Sequence, residues 1–170
     1  MKRKIAAGSA AVAFVAMSLI VAGAAAKADF SGKWVMDKTK SDGVAPGVEF
    51  SLNITQAGDK IEVETTVKSP QGERVVKDAF IADGKEVEFT PPLPPQPGVT
   101  GKGKRTTKWA ADGMGLEVSE AATLEGPQGS DEISATRKWT LAADGKTLTI
   151  EMAFSGEQGS QKTKRVFVKQ

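Results

Sequence analysis

Residues 137–154 read RKWTLAADGKTLTIEMAF. Ahead of Asp144-Gly145, Arg137, Trp139 and Leu141 alternate with Lys138 and Thr140; after it, Leu148, Ile150, Met152 and Phe154 alternate with Thr147, Thr149, Glu151 and Ala153. A period of two with one apolar face marks a strand that buries one side, and Asp-Gly between two such runs marks a hairpin. Because a two-residue Asp-Gly turn suits positive φ at both central positions, centring it on Asp144-Gly145 sets Leu141 opposite Leu148, Trp139 opposite Ile150 and Arg137 opposite Met152. The apolar side chains of both strands then share a face, and Arg137 shares it with them.

The same unit recurs outward from this hairpin. Lys108-Trp109-Ala110-Ala111-Asp112-Gly113 returns with two residues inserted as Lys138 to Gly145, and Gly126-Pro127-Gln128-Gly129-Ser130 returns as Gly156-Glu157-Gln158-Gly159-Ser160. Ser69-Pro70-Gln71-Gly72 followed by Phe80 to Gly84 is a fainter copy. Strands are expected at 30–36, 48–56, 60–68, 73–81, 86–90, 102–110, 115–124, 132–141, 147–155 and 161–168. No stretch has the period of a long amphipathic helix, and a short helical turn is expected at Lys38–Val44. Hairpin following hairpin gives a meander, and a long meander removes its exposed edges by closing. The fold class is therefore all-β, an up-and-down antiparallel β-barrel of about 8–10 strands. Pro91 to Gly98 (PPLPPQPG) lacks the donors a sheet needs and is expected to be a stiff crossover or a flap over one barrel end.

Centring each turn in the same way pairs Trp109 with Leu116, Arg105 with Glu120, Val118 with Arg137, Ile150 with Arg165 and Leu148 with Phe167. Carried back through a hairpin at Asp83-Gly84, the scheme puts Phe80, Asp78, Val76 and Arg74 on the same inner face. Arg74, Arg105, Arg137 and Arg165 all point inward, whereas Lys68, Lys77, Lys104, Lys108, Lys138 and Lys164 point outward. Glu120 and Asp78 are the inward acids, so the interior carries two cations more than it has anions. Buried charge of one sign is costly unless paired or wet.

The N-terminus has the build of an export signal. Lys2-Arg3-Lys4 is followed by an uncharged apolar run from Ile5 to Ala25, and Ala26-Lys27-Ala28 fits a small-x-small cleavage pattern. Residues 1–28 are expected to be removed, leaving one domain over 29–170 in the periplasm or outside the cell; the alternative is an uncleaved anchor. Of the 23 Lys and Arg residues four lie in that leader, so 19 cations face 21 acids in the remainder, a balance unlike that of a nucleic-acid binder. There is no His, Cys or Tyr. That excludes Ser-His-Asp and Cys-His catalysis, His or Cys metal sites, disulfides and His-ligated haem. Glu120 and Asp78 come from strands far apart in order with no motif for paired-carboxylate chemistry, and Gly101 to Arg105 leads into a strand where a phosphate loop needs a helix. No catalytic residue, cofactor or metal site is expected. An outer-membrane barrel would need an apolar outward band, yet Glu62, Glu64, Lys77, Lys108, Lys138 and Lys164 occupy that face.

Phe30-Ser31-Gly32-Lys33-Trp34 opens the expected mature chain. Gly-x-Trp on the first strand of an antiparallel barrel resembles the lipocalin and calycin signature, and the wider opening resembles lipocalin-like secreted bacterial proteins. The resemblance implies a cup whose closed end is plugged by the Trp and whose interior takes small hydrophobic molecules. Two functions stay open. In one, Arg105, Arg137 and Arg165, with Arg74 and Glu120 alongside, hold the head group of a hydrophobic or amphipathic anion, and Trp109, Trp139, Met152 and Phe154 line the apolar part. In the other, the Arg residues pair with Glu120 and Asp78 to fill the interior of a non-catalytic envelope protein that works through its outer surface.

Overall fold

The structure is a computed structural model and describes residues 27–91, 98–127, 129–157 and 159–170. Ten strands follow in order: β1 Gly32–Met36, β2 Glu49–Ala57, β3 Lys60–Ser69, β4 Gly72–Ile81, β5 Asp83–Phe89, β6 Thr100–Trp109, β7 Gly115–Gly126, β8 Gly129–Leu141, β9 Thr147–Gly156 and β10 Gly159–Lys169. They form one antiparallel sheet in the order β4-β3-β2-β1-β10-β9-β8-β7-β6-β5. The first strand pairs with the last, Trp34 opposite Lys169 and Met36 opposite Phe167. The sheet thus rolls into an up-and-down barrel with a single seam, between β4 and β5. No helix of the described residues is long and apolar enough to cross a membrane.

The hairpin registers agree with the alternation. Arg105 lies opposite Glu120, Val118 opposite Arg137, Trp139 opposite Ile150, and Ile150 opposite Arg165. The turn geometry differs from the expected two-residue type. Gly113 and Gly145 have φ of 72° and 66°, but no non-glycine residue among those described has positive φ. Gly145 N donates to Ala142 O at 2.9 Å, and Ala142 N donates to Thr147 O at 2.9 Å. The loop is wider, with the glycine alone in the left-handed region. It is still centred on Asp-Gly, which is why the register is unchanged. Asp112 and Asp144 brace the two copies by accepting from Met114 N and Lys146 N.

Two expectations are corrected. Asp83-Gly84 does not close a hairpin: Ala82 N donates to Asp59 O at 2.8 Å, and among the described residues β5 pairs with β6 and not with β4. The inner face assigned to β4 nevertheless holds, with Phe80 buried and Asp78 turned inward. Lys38–Val44 forms turns and no helix. Its polar groups are engaged along the part of β10 that β1 leaves bare: Asp37 N donates to Val166 O, Val166 N to Ser41 Oγ, Asp42 N to Lys164 O, and Lys164 N to Asp42 Oδ2. A helix would withdraw those backbone groups from the edge they cover. Pro91–Gly98 joins β5 to its antiparallel neighbour β6, so it does not cross over other strands, and its residues 92–97 lie outside the described residues.

Burial is uneven along the barrel axis. At the end holding the β6–β7 and β8–β9 loops, Phe30, Trp34, Ile61, Leu116 and Leu148 are fully buried. Toward the other end, inward side chains of the same strands become accessible; Leu148 is 0% exposed, Met152 36% and Phe154 37%. The barrel is a cup, packed at one end and open at the other. Outside, Lys108 pairs with Glu117, Lys77 with Glu64 and Lys68 with Glu73, each directly across a strand pair. The outer surface therefore carries charge where a lipid-facing barrel carries an apolar band.

Candidate functional site in the barrel interior

The closed end explains the Gly-x-Trp opening. Trp34 is 0% exposed and its Nε1 donates to Phe30 O at 2.9 Å. Gly32 sits at φ 128°, a backbone conformation that residues with an L side chain rarely adopt. A Cβ there would lie 2.8 Å from Lys169 Cε, whose ammonium rests 5.3 Å from the centre of the Trp34 ring. Phe30 stacks on Trp109 at 6.0 Å and meets Trp139 edge-on at 5.8 Å, while Phe80 meets Trp139 at 5.7 Å. Trp109 Nε1 donates to Asp59 Oδ1 at 2.8 Å. Trp109 and Trp139, two of the expected lining residues, are thus placed in this plug; Trp139 is 3% exposed.

A charged layer lies above the plug. Arg105 is 4% exposed. Its Nε donates to Glu120 Oε1 at 2.6 Å, its Nη1 to Asp78 Oδ1 at 2.8 Å and to Ala79 O at 3.1 Å, and its Nη2 to Asp78 Oδ2 at 3.1 Å. The guanidinium is also held between two rings, 4.7 Å from Phe80 and 4.3 Å from Phe89. Arg137 Nη2 donates to the other oxygen of Glu120 at 2.8 Å, and Arg137 Nη1 lies 3.6 Å from Asp78 Oδ2. Two guanidiniums and two carboxylates therefore neutralise one another with their hydrogen-bonding groups largely used, the condition under which buried charge is tolerated. Arg105, Arg137 and Glu120, expected around a ligand head group, are brought together but occupied with one another and with Asp78.

Arg165 is set apart. It shares the inner face of β10 with Phe167, and it makes no ion pair among the described residues. Its guanidinium rests 5.2 Å from the Phe50 ring and 4.0 Å from Met36 Sδ. Two positions along β10, Thr163 faces the same way opposite Met152, and its Oγ1 is buried without a hydrogen-bond partner among the described residues. Met152 and Phe154 continue the open half on β9, so these three expected site residues lie in one region. Arg74 is placed on the same face of β4 but is exposed toward the rim, with an interaction of its own. Phe50, Phe89 and Thr163 join the interior without having been anticipated as site residues. Alternation alone places Phe50 with Leu52 and Ile54, whereas nothing in the sequence sets the height of Phe89 against Arg105. No group of three or more side chains suited to holding a metal is found among the described residues.

Zebrafish ileal bile acid-binding protein, solved in complex with cholic acid, matches this chain with a TM-score of 0.51 at 20% sequence identity, over 83% of this chain and 98% of that one. Secretory abundant heat soluble protein 4 from Ramazzottius varieornatus matches with a TM-score of 0.43 at 16% identity, over 82% of this chain and 94% of that one. No family model and no curated protein sequence matches. At 20% identity the first likeness is one of fold. Ten antiparallel strands, the first paired with the last and a seam left between β4 and β5, with the Gly32–Trp34 opening in the plug, have the fold of a calycin-like barrel.

Proposed function

We propose that the open half of the barrel binds a small amphipathic anion, with Arg165 taking the acid group and Phe50, Met152 and Phe154 the apolar body. The observation that carries this reading is Arg165 itself: an inward guanidinium on an aromatic ring with no carboxylate partner among the described residues. A planar fork of donors suits a carboxylate or sulfonate, and its weaker hydration makes the transfer out of water less costly than for Lys. The cholic acid held by the zebrafish protein of similar fold is a ligand of that general kind. The protein is read as non-catalytic, exported, and without a cofactor. Titration with a fluorescent fatty acid and with its alcohol analogue tests the assignment. The acid should bind more tightly, and Arg165→Met should weaken the acid by about tenfold or more, the scale of a charge-assisted hydrogen bond, while leaving the alcohol unchanged. Equal affinity for acid and alcohol in the parent chain would remove Arg165 from the site.

A second reading is favoured by the charged layer. Arg105 and Arg137 are already matched by Asp78 and Glu120, as expected of a filled barrel in an envelope protein that acts through its outer face. Absence of binding by either probe supports it.

A further inference from the structure

Lys27 and Ala28 are part of the folded barrel. Ala28 is 5% exposed, its N–H donates to Gly113 O at 2.8 Å, and its carbonyl accepts from Gln56 Nε2 at 2.9 Å. The same Gln56 accepts from Phe30 N through Oε1 at 3.0 Å, so one side chain clamps two residues of the N-terminal segment. The Lys27 ammonium donates to Asp59 Oδ1 and lies 5.3 Å from the centre of the Trp109 ring. These contacts tie the segment to β2, to the β2–β3 and β6–β7 loops, and to the Trp109 ring at the closed end. Cleavage after Ala28 would discard both residues, strip Gly113 O and Gln56 Nε2 of these partners, and remove from Asp59 the cation it binds.

Two residues earlier, Ala24-Ala25-Ala26 offers the same small-x-small pattern as Ala26-Lys27-Ala28. A peptidase reads extended chain and meets both sites, but the product cut after Ala26 keeps the contacts of Lys27 and Ala28 and the product cut after Ala28 does not. We propose, on the reading that the leader directs export, that the chain is cut between Ala26 and Lys27, so that the mature protein begins at Lys27 and keeps the clamp. The step is hydrolysis by a membrane-bound leader peptidase. Water adds to the Ala26 carbonyl, the bond to Lys27 nitrogen breaks, Ala26 departs as a carboxylate and Lys27 gains a free α-amino group.

Intact mass and N-terminal sequencing of the full chain, exported by a bacterial host, test this. The expected product starts at Lys27. A product starting at Asp29, lighter by one Lys and one Ala, overturns the proposal while leaving export intact; an unprocessed chain overturns both. Ala28→Leu places a bulky residue at the later site alone, so processing should continue unchanged, and its loss counts against the earlier site. Separately prepared chains of residues 27–170 and 29–170 should differ in thermal midpoint, the shorter melting lower by about 3 °C or more. Equal midpoints would leave Lys27 and Ala28 without a structural role and overturn the argument for the earlier cut.

Discussion

Arg105 on β6 and Asp78 on β4 meet across the seam of the sheet in two hydrogen bonds of 2.8 and 3.1 Å, although their strands do not pair. Among the described residues neither β4 nor β5 pairs with a strand on its seam side, so the guanidinium, held between Phe80 of β4 and Phe89 of β5, joins the two edges. Edges left open this way invite pairing with other chains. Charged side chains on both, among them Glu73, Lys77, Glu86 and Glu88, work against that.

Loss of the clasp should therefore weaken the seam first. Arg105→Met leaves Asp78 and Glu120 short of a cation in the interior and should cost about 3–5 kcal/mol in urea unfolding. Asp78→Asn should cost less, because Arg105 keeps Glu120. In a double-mutant cycle the pair should be coupled by more than about 1 kcal/mol. Amide exchange in Asp78→Asn should quicken in β4 and β5 before β7 and β8. Uniform acceleration across the sheet would show that the pair stabilises the barrel without fastening the seam.

Much of this architecture was legible in the sequence because two independent signals coincide. Alternation fixes which face a residue takes, and centred turns fix which residue it meets; both give Arg105 opposite Glu120 and Trp139 opposite Ile150. The seam was not legible. Asp83-Gly84 has the local chemistry of its two repeated counterparts, and what sets it apart is long-range: Ala82 N donates to Asp59 O, and Asp83 pairs with Lys108 of β6. Nor does parity report height or reach across the lumen. Four inward Arg residues looked alike, yet Asp78 and Glu120 take two of them, Arg74 is exposed near the rim and Arg165 rests on Phe50. Trp109 and Trp139 face inward as expected, but their distance along the barrel puts them in the plug.

Gly32→Ala isolates the backbone demand of the Gly-x-Trp opening. At φ 128° an L side chain is strained whatever room it has, and the cost should be about 1–3 kcal/mol in unfolding free energy. The clash with Lys169 Cε involves the far end of a flexible chain and is easily relieved. Gly32→Ala combined with Lys169→Ala should therefore remain destabilised relative to Lys169→Ala alone. Full recovery in the double variant would trace the effect to side-chain crowding.

Acid sensitivity should carry a contribution from Asp59. Its carboxyl is held below the ordinary value of 3.8, first by the hydrogen bond from Lys27 and then by that from Trp109. A carboxyl with a lowered folded-state pKa stabilises the fold above its unfolded value, and that stability is lost as pH falls through the folded one. Unfolding free energy should decline below about pH 4, and Asp59→Asn should flatten part of that decline. The group lies at the surface, so the difference should be small and should shrink in high salt. An Asp59→Asn profile parallel to the parent down to pH 2 would mean that the carboxylate gains nothing from Lys27 and Trp109.

The neighbouring cations of β8 and β10 separate binding from stability. Arg137→Met takes one of two guanidiniums from Glu120, whose side chain is 7% exposed, and should cost about 1–3 kcal/mol of stability. Arg165→Met removes a cation with no carboxylate partner among the described residues, so stability should hold or rise while affinity for a fatty-acid probe falls. Lys138→Met and Lys164→Met, one residue along each strand and facing water, should move stability by less than about 0.5 kcal/mol and leave affinity alone. All four changes delete one positive charge, so attraction by net charge predicts equal losses of affinity. A site on Arg165 predicts a loss at that position and little at the Lys positions. Equal losses at Arg165 and Lys164 would mean that the probe follows the field of the whole molecule, and the open half of the cup would then hold no specific anion site.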